Sequence, residues 1–140
     1  MSIYSMYKTD EKVEVDGVEL NYGDNGHGED TIIIVGRAGG SNTAYQKALT
    51  AGLRPYRKQI QTSTLDPKVF NKVLLDVYMK TVIKGARGLV DPDGKPIEAT
   101  AENIRATLSN LPDMFEDVKE QATDAAIFRA DAVEEIAKNS

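Results

Sequence analysis

The chain contains no cysteine and no tryptophan, and His27 is its single histidine. Without thiols it forms neither disulfides nor thiolate metal sites, which fits a reducing compartment. With one imidazole, any metal would have to be held by carboxylates, and we expect neither a metal site nor a cofactor. Long apolar runs are also missing. Wholly apolar stretches reach only four residues, as at 32–35, whereas a helix that crosses a bilayer needs about 20. Residues 1–8, Met1-Ser2-Ile3-Tyr4-Ser5-Met6-Tyr7-Lys8, lack the basic end and apolar run of a signal peptide. Together these absences argue against a disulfide scaffold and a membrane partner, and lead us to expect a soluble protein that stays where it is made.

What is present is 140 residues, 41% of them hydrophobic, with a formal net charge of −5. That length suits one domain spanning residues 1–140, since folding at this size buries roughly two-thirds of the surface of the unfolded chain. The charge is unevenly placed. Residues 1–36 carry two Lys against eight Asp and Glu, residues 37–90 carry ten Lys and Arg against two Asp, and residues 91–140 carry five against twelve. A basic middle therefore lies between acidic ends. Nucleic acid is a poor partner for it, because the flanks repel phosphate and no aromatic platform is interleaved with the cations. Complementarity within the chain or between chains is the simpler account.

The hydrophobic pattern changes period along the chain. Val13, Val15, Val18, Leu20 and Tyr22 alternate with polar residues on either side of Asp16-Gly17, which predicts a β-hairpin. Residues 23–30 read as a loop and residues 31–35 as a third strand. From Ser41 the spacing is helical. Ser41 or Asn42 caps a helix to about Leu53, with Tyr45, Ala48 and Leu49 on its stripe and Pro55 at its end. Asp66-Pro67 starts a second helix, expected to run to Gly85 with Phe70, Val73, Leu74, Val77, Tyr78 and Val82 at the centre of the core. Asp91-Pro92-Asp93-Gly94 is a turn sequence. Thr100 caps a short helix, and Pro112 opens a long final one to about Lys138, with Phe115, Val118, Ala122, Ala125, Phe128, Ala132, Val133 and Ile136 as its apolar positions. The expected fold is α+β: a small antiparallel β-rich part, residues 1–36, and a mainly helical part, residues 41–138.

No constellation in the chain carries catalysis. The strand, glycine turn and helix around residues 32–49 superficially resemble a phosphate-binding unit, but Gly40 is followed by Ser41-Asn42 where a phosphate loop needs lysine and Ser/Thr, and there is no GxGxxG. His27 has no Ser or carboxylate at a spacing that makes it a base. Asp91 and Asp93 lack the remaining oxygen ligands of a calcium loop. We therefore expect no enzyme. Arg54, Arg57 and Lys58 beside Tyr56 form the densest basic cluster, which either complements a helix C-terminus or docks an acidic partner.

Several weaker motifs recur in order: Arg37-Ala38-Gly39-Gly40-Ser41-Asn42, Arg54-Pro55-Tyr56-Arg57, Thr64-Leu65-Asp66, the Gly88–Gly94 loop, Glu102-Asn103, Leu111-Pro112-Asp113-Met114-Phe115 and Phe128-Arg129. By these the chain resembles the tail assembly chaperones of tailed bacteriophages. The resemblance covers nearly the whole chain and departs where Ala86 stands in place of the tryptophan of many relatives. It implies a non-enzymatic factor in the host cell cytoplasm, absent from the mature virion, that binds the tape-measure protein and helps recruit tail-tube subunits, with weak homo-oligomerisation. It also points to partner-binding residues Arg37, Asn42, Arg54, Tyr56 and Arg57. Relatives from phages with long non-contractile tails occur in two lengths through ribosomal slippage, with which Ala137-Lys138-Asn139-Ser140 is compatible. The alternatives are a structural tail protein retained in the virion, or a small anion-binding or host-modulating phage protein.

Overall fold

A computed structural model describes residues 2–130 of the chain. Its sheet has three antiparallel strands in the order β1 (Val18–Asp24), β2 (Asp30–Val35), β3 (Ile83–Arg87). The β-branched run at residues 31–35 forms the central strand, where both edges find partners, and Ile33 and Val35 are fully buried. Helices surround this sheet: α1 (Ile3–Tyr7), α2 (Glu11–Asp16), α3 (Thr43–Leu53), α4 (Arg57–Gln61), α5 (Pro67–Thr81), α6 (Ala101–Asn110) and α7 (Pro112–Thr123). The fold is α+β, with antiparallel strands towards the N-terminus and helices through most of the remainder.

Local chemistry explains most helix starts. Pro67 and Pro112 occupy first-turn positions, where a missing N–H costs nothing. The Asp66 side chain accepts from the Lys68 N–H, and Thr100 Oγ1 accepts from the Asn103 N–H. The Asp91–Gly94 turn closes through Gly94 N–H to Asp91 O at 2.9 Å, flanked by a bridge between Val90 and Pro96.

One hydrophobic cluster joins sheet and helices. Tyr78 on α5 is 1% exposed and packs edge-on between Tyr45 of α3 and Phe115 of α7, at centroid distances of 5.8 and 5.5 Å. Val82, Leu89, Leu108, Val118 and Phe128 complete its interior. Burying each such side chain contributes about 1.5–3 kcal/mol over leaving it in water. The Tyr22 hydroxyl donates to Asp117 Oδ2 at 2.7 Å, tying β1 to α7, and burial together with that carboxylate raises its pKa well above the ordinary phenol range.

Four expectations are corrected. The hairpin predicted across Asp16-Gly17 does not form. Its first half is α2, capped by the Asp10 side chain, which accepts from the Val13 N–H, and Val15 is exposed. Gly17 joins that helix to β1 at φ +109°, and a Cβ there would lie 2.8 Å from Ile34 Cγ2, so glycine is required. The helix from Pro67 ends at Thr81 rather than Gly85, because the β-branched residues after it join the sheet as β3. Within that helix Phe70 is exposed, while Leu75 is buried in its stead. The helix from Pro112 ends at Thr123. Asp124 turns extended, its side chain accepts from the Ala126 N–H, and residues Ala125–Phe128 form a 3-10 turn that folds Phe128 back into the core. Ala132, Val133, Ile136 and the Ala137-Lys138-Asn139-Ser140 terminus lie outside the described residues. No helix among the described residues is long and apolar enough to cross a membrane.

Candidate partner-binding site

The five residues singled out for partner binding fall into two groups, at opposite ends of α3. Eleven helical residues separate the groups, a span of about 16 Å.

The first group surrounds Glu14. This residue on α2 is 1% exposed. Its carboxylate accepts from the Thr9 hydroxyl and from the Ser41 N–H at 2.7 Å and forms an ion pair with Arg37 Nη1 at 3.5 Å, and its backbone carbonyl accepts from the Arg37 N–H at 2.7 Å. Burial alone pushes the Glu14 carboxyl up, but these donors outweigh burial and hold it below the ordinary glutamate range. Asn42, 2% exposed, spends both amide hydrogens on main-chain carbonyls, Arg37 O at 2.9 Å and Thr81 O at 2.8 Å. It occupies the cap position of α3 without making a side-chain cap bond.

This polar knot explains the glycine turn. The Gly36 N–H donates to Val82 O, the Ala38 N–H to Ala122 O and the Asn42 N–H to Gly39 O. With the Ser41 N–H held by Glu14, most of the main-chain donors that a phosphate cradle would use are already engaged within the fold. Gly40 sits at φ +53°, where a Cβ would lie 2.0 Å from Glu14 Oε2, so the turn closes only around glycine. Arg37 and Asn42 are thus brought together as framework. The sequence signal for Glu14 was its place in a possible N-terminal helix, Asp10-Glu11 being a cap followed by an acidic first turn.

The second group lies on the surface. Pro55 breaks α3, and Arg54–Tyr56 form a 3-10 turn leading into α4. Arg54 and Arg57 are exposed and Tyr56 is half-buried. Lys47, Lys58, Lys68, Lys72 and Lys80, spread along α3–α5, are exposed as well. The ion pairs among the described residues are Arg37–Glu14, Arg87–Glu19, Arg105–Asp76 and Lys119–Glu116, and none uses one of these seven cations. Among the described residues, the opposite charges of the three blocks are therefore only sparsely paired with one another.

Other polar candidates have structural partners. His27 Nε2 donates to Gly94 O at 2.6 Å, clasping the β1–β2 loop to the Asp91–Gly94 turn. Asp91 Oδ1 accepts the N–H groups of Asp93 and Lys95, both at 2.9 Å, and so serves that turn. Ala86 is half-buried on β3, packed against the core.

A groove of about 800 Å³ lies between α5 and the α6–α7 pair. Leu75 and Phe115 lie in its floor. Sequence reasoning missed it, because α5 has to pack against the α6–α7 pair, about twenty residues further along the chain, before it exists.

The α3–α7 region containing the basic surface and the groove also carries the likeness to known proteins. A family model described as YdaY prophage protein matches residues 40–139. No curated protein and no solved structure matches the chain. With that match spanning more than half of its length, the chain is phage-derived and belongs to the YdaY prophage protein family.

Proposed function

We propose that this protein is a non-enzymatic tail assembly chaperone, which binds the tape-measure protein and helps recruit tail-tube subunits in the host cell cytoplasm. The observation that carries the reading is the basic surface of the α3–α5 segment, whose seven exposed Lys and Arg side chains take part in none of the ion pairs among the described residues. Such a surface favours an acidic protein partner, steers encounter and fixes register, which are the needs of a transient assembly factor. Membership of a prophage family is the setting in which a tail partner is available, and the ordered motifs shared with tail assembly chaperones supply the specific role.

The test is genetic and biochemical together. Deleting the gene from an inducible lysogen should give particles without tails or heads alone by electron microscopy, and the chain expressed in trans should restore tails. Mass spectrometry of purified complete particles should not find it. Normal tails in the deletion would overturn the reading, and stoichiometric recovery from particles would replace it with that of a structural tail protein.

A further inference from the structure

The groove between α5 and α6–α7 has a cross-section with a built-in sense of charge. Lys68 and Lys72, four residues apart on one face of α5, form one rim. Glu102 of α6 and Glu116 of α7 line the other side, where Lys119 pairs with Glu116, and Arg105, the cation lining that side, is taken up by Asp76. Between the two sides Leu75, Leu108 and Phe115, all buried, make an apolar floor, and exposed Ala106 leaves the space above it open. The Arg105–Asp76 ion pair straps α6 to α5 beside the groove, so its walls are held apart at a fixed spacing. A volume of about 800 Å³ corresponds to roughly two turns of a helix about 10 Å across.

We propose that this groove docks an amphipathic helix of a protein partner whose apolar stripe is flanked by carboxylates on one side and by Lys or Arg on the other. The apolar stripe covers Leu75 and Phe115, and the flanking charges pair with the two rims. A helix lies in a groove in either direction as far as its stripe is concerned. Here the unlike rims select the direction that sets its carboxylates against Lys68 and Lys72, so the groove fixes the polarity of its ligand as well as its position. This deepens the proposed assembly role and rests on it, because it names the surface that would hold a helical partner.

The probe is a stapled helical peptide of about 14 residues with leucines at i, i+3, i+4 and i+7, made with Glu on one flank and Lys on the other, or with Lys on both. Binding to the full chain is read by fluorescence anisotropy. The Glu/Lys peptide should bind at least tenfold more tightly than the Lys/Lys peptide. Lys68→Glu with Lys72→Glu makes both rims acidic and should reverse that order. Ala106→Arg fills the groove from an exposed position and should weaken both peptides at least tenfold with an unchanged circular dichroism spectrum. Failure of the Glu/Lys peptide to bind wild type below millimolar concentration, or an unreversed preference, would overturn the proposal. So would Ala106→Arg abolishing self-association in sedimentation, which would make a second copy the occupant. If tails form normally with Ala106→Arg but not in the gene deletion, the groove assignment fails while the assembly role stands. Normal tails in the deletion fail the assembly role alone, and the peptide result still decides the groove.

Discussion

Arg37 and Arg57 look alike in the sequence, each a cation beside a turn at one end of α3, yet they belong to opposite kinds of surface. Arg37 lends its guanidinium to buried Glu14 and its main chain to Glu14 and Asn42. Arg57 stands in solvent on a segment whose exposed cations share none of the ion pairs among the described residues. The difference teaches that charge next to a glycine turn is no guide to availability. What decides is whether an opposite charge has already been buried nearby, because a buried carboxylate without its donors is costly while an exposed cation loses little in water.

Charge reversal at Arg37 should therefore break the fold first. Arg37→Glu would set a second carboxylate against Glu14, and we expect a loss of about 3 kcal/mol or more, comparable with removing one partner of a buried ion pair. Glu14→Ala should cost a similar amount by stranding the Thr9 hydroxyl and the Ser41 N–H. Urea unfolding followed by circular dichroism measures both. Wild-type stability in either variant would mean that the knot is not framework and that Arg37 belongs with the surface group.

Asn42→Ala comes next. It leaves Arg37 O and Thr81 O without their amide donor at a position 2% exposed, and about 2 kcal/mol should be lost. Asn42→Ser would restore only part of this, since one hydroxyl hydrogen cannot serve two carbonyls. A change in unfolding free energy of less than about 0.5 kcal/mol, the range of an ordinary surface substitution, would remove Asn42 from the framework.

Acid should loosen the same region by a smaller step. The Glu14 carboxyl titrates below its ordinary value near 4.5 because Thr9, Ser41 and Arg37 favour its charged form over the burial that opposes it. A folded value lower than the unfolded one means that this stability is present above pH 4.5 and is lost as pH falls through the folded value. Glu14→Gln should therefore be less stable than wild type at neutral pH and flatter with pH below 4.5. Equal slopes in the two proteins would show that the donors do not hold the carboxylate.

How far the sequence could be read follows the same line between local and distant causes. Asp66-Pro67, Thr100, Pro112 and Asp91-Pro92-Asp93-Gly94 act within a turn of themselves, and each element begins or bends where they stand. The central strand was legible because β-branched residues crowd together from Thr31 to Val35. α2 was not, because its apolar Val13 and Val15 alternate as in a strand, and its most buried side chain is a carboxylate whose donors come from residues 37 and 41. β3 was hidden by the helical rhythm of α5, which runs on through Val82, and only pairing with a strand some fifty residues earlier reveals it. The end of α7 depended on Asp124 capping a new turn, a signal carried by one residue. Around the candidate site, Pro55 announced the helix break at which Arg54, Tyr56 and Arg57 stand, whereas the burial of Asn42 and the engagement of Arg37 required the fold.

The smallest effect on stability should come from Arg54→Glu combined with Arg57→Glu. Both side chains are exposed, so the unfolding free energy should stay within about 0.5 kcal/mol of wild type. Association is where this variant should differ. If the basic surface docks acidic surfaces, including those of other copies, wild type should sediment with a weight-average mass that rises with protein concentration at low salt and falls back as salt shortens the screening length from about 30 Å at 0.01 M to about 8 Å at 0.15 M. The double variant should remain monomeric throughout, because two of the seven cations have changed sign and repel their former partners. Arg37→Glu supplies the contrast, failing in stability before association can be read. A double variant that associates like wild type at 0.01 M salt would show that the exposed cations near Pro55 only complement the end of α3, and the distinction between framework and docking surface would then have to be drawn elsewhere on α5.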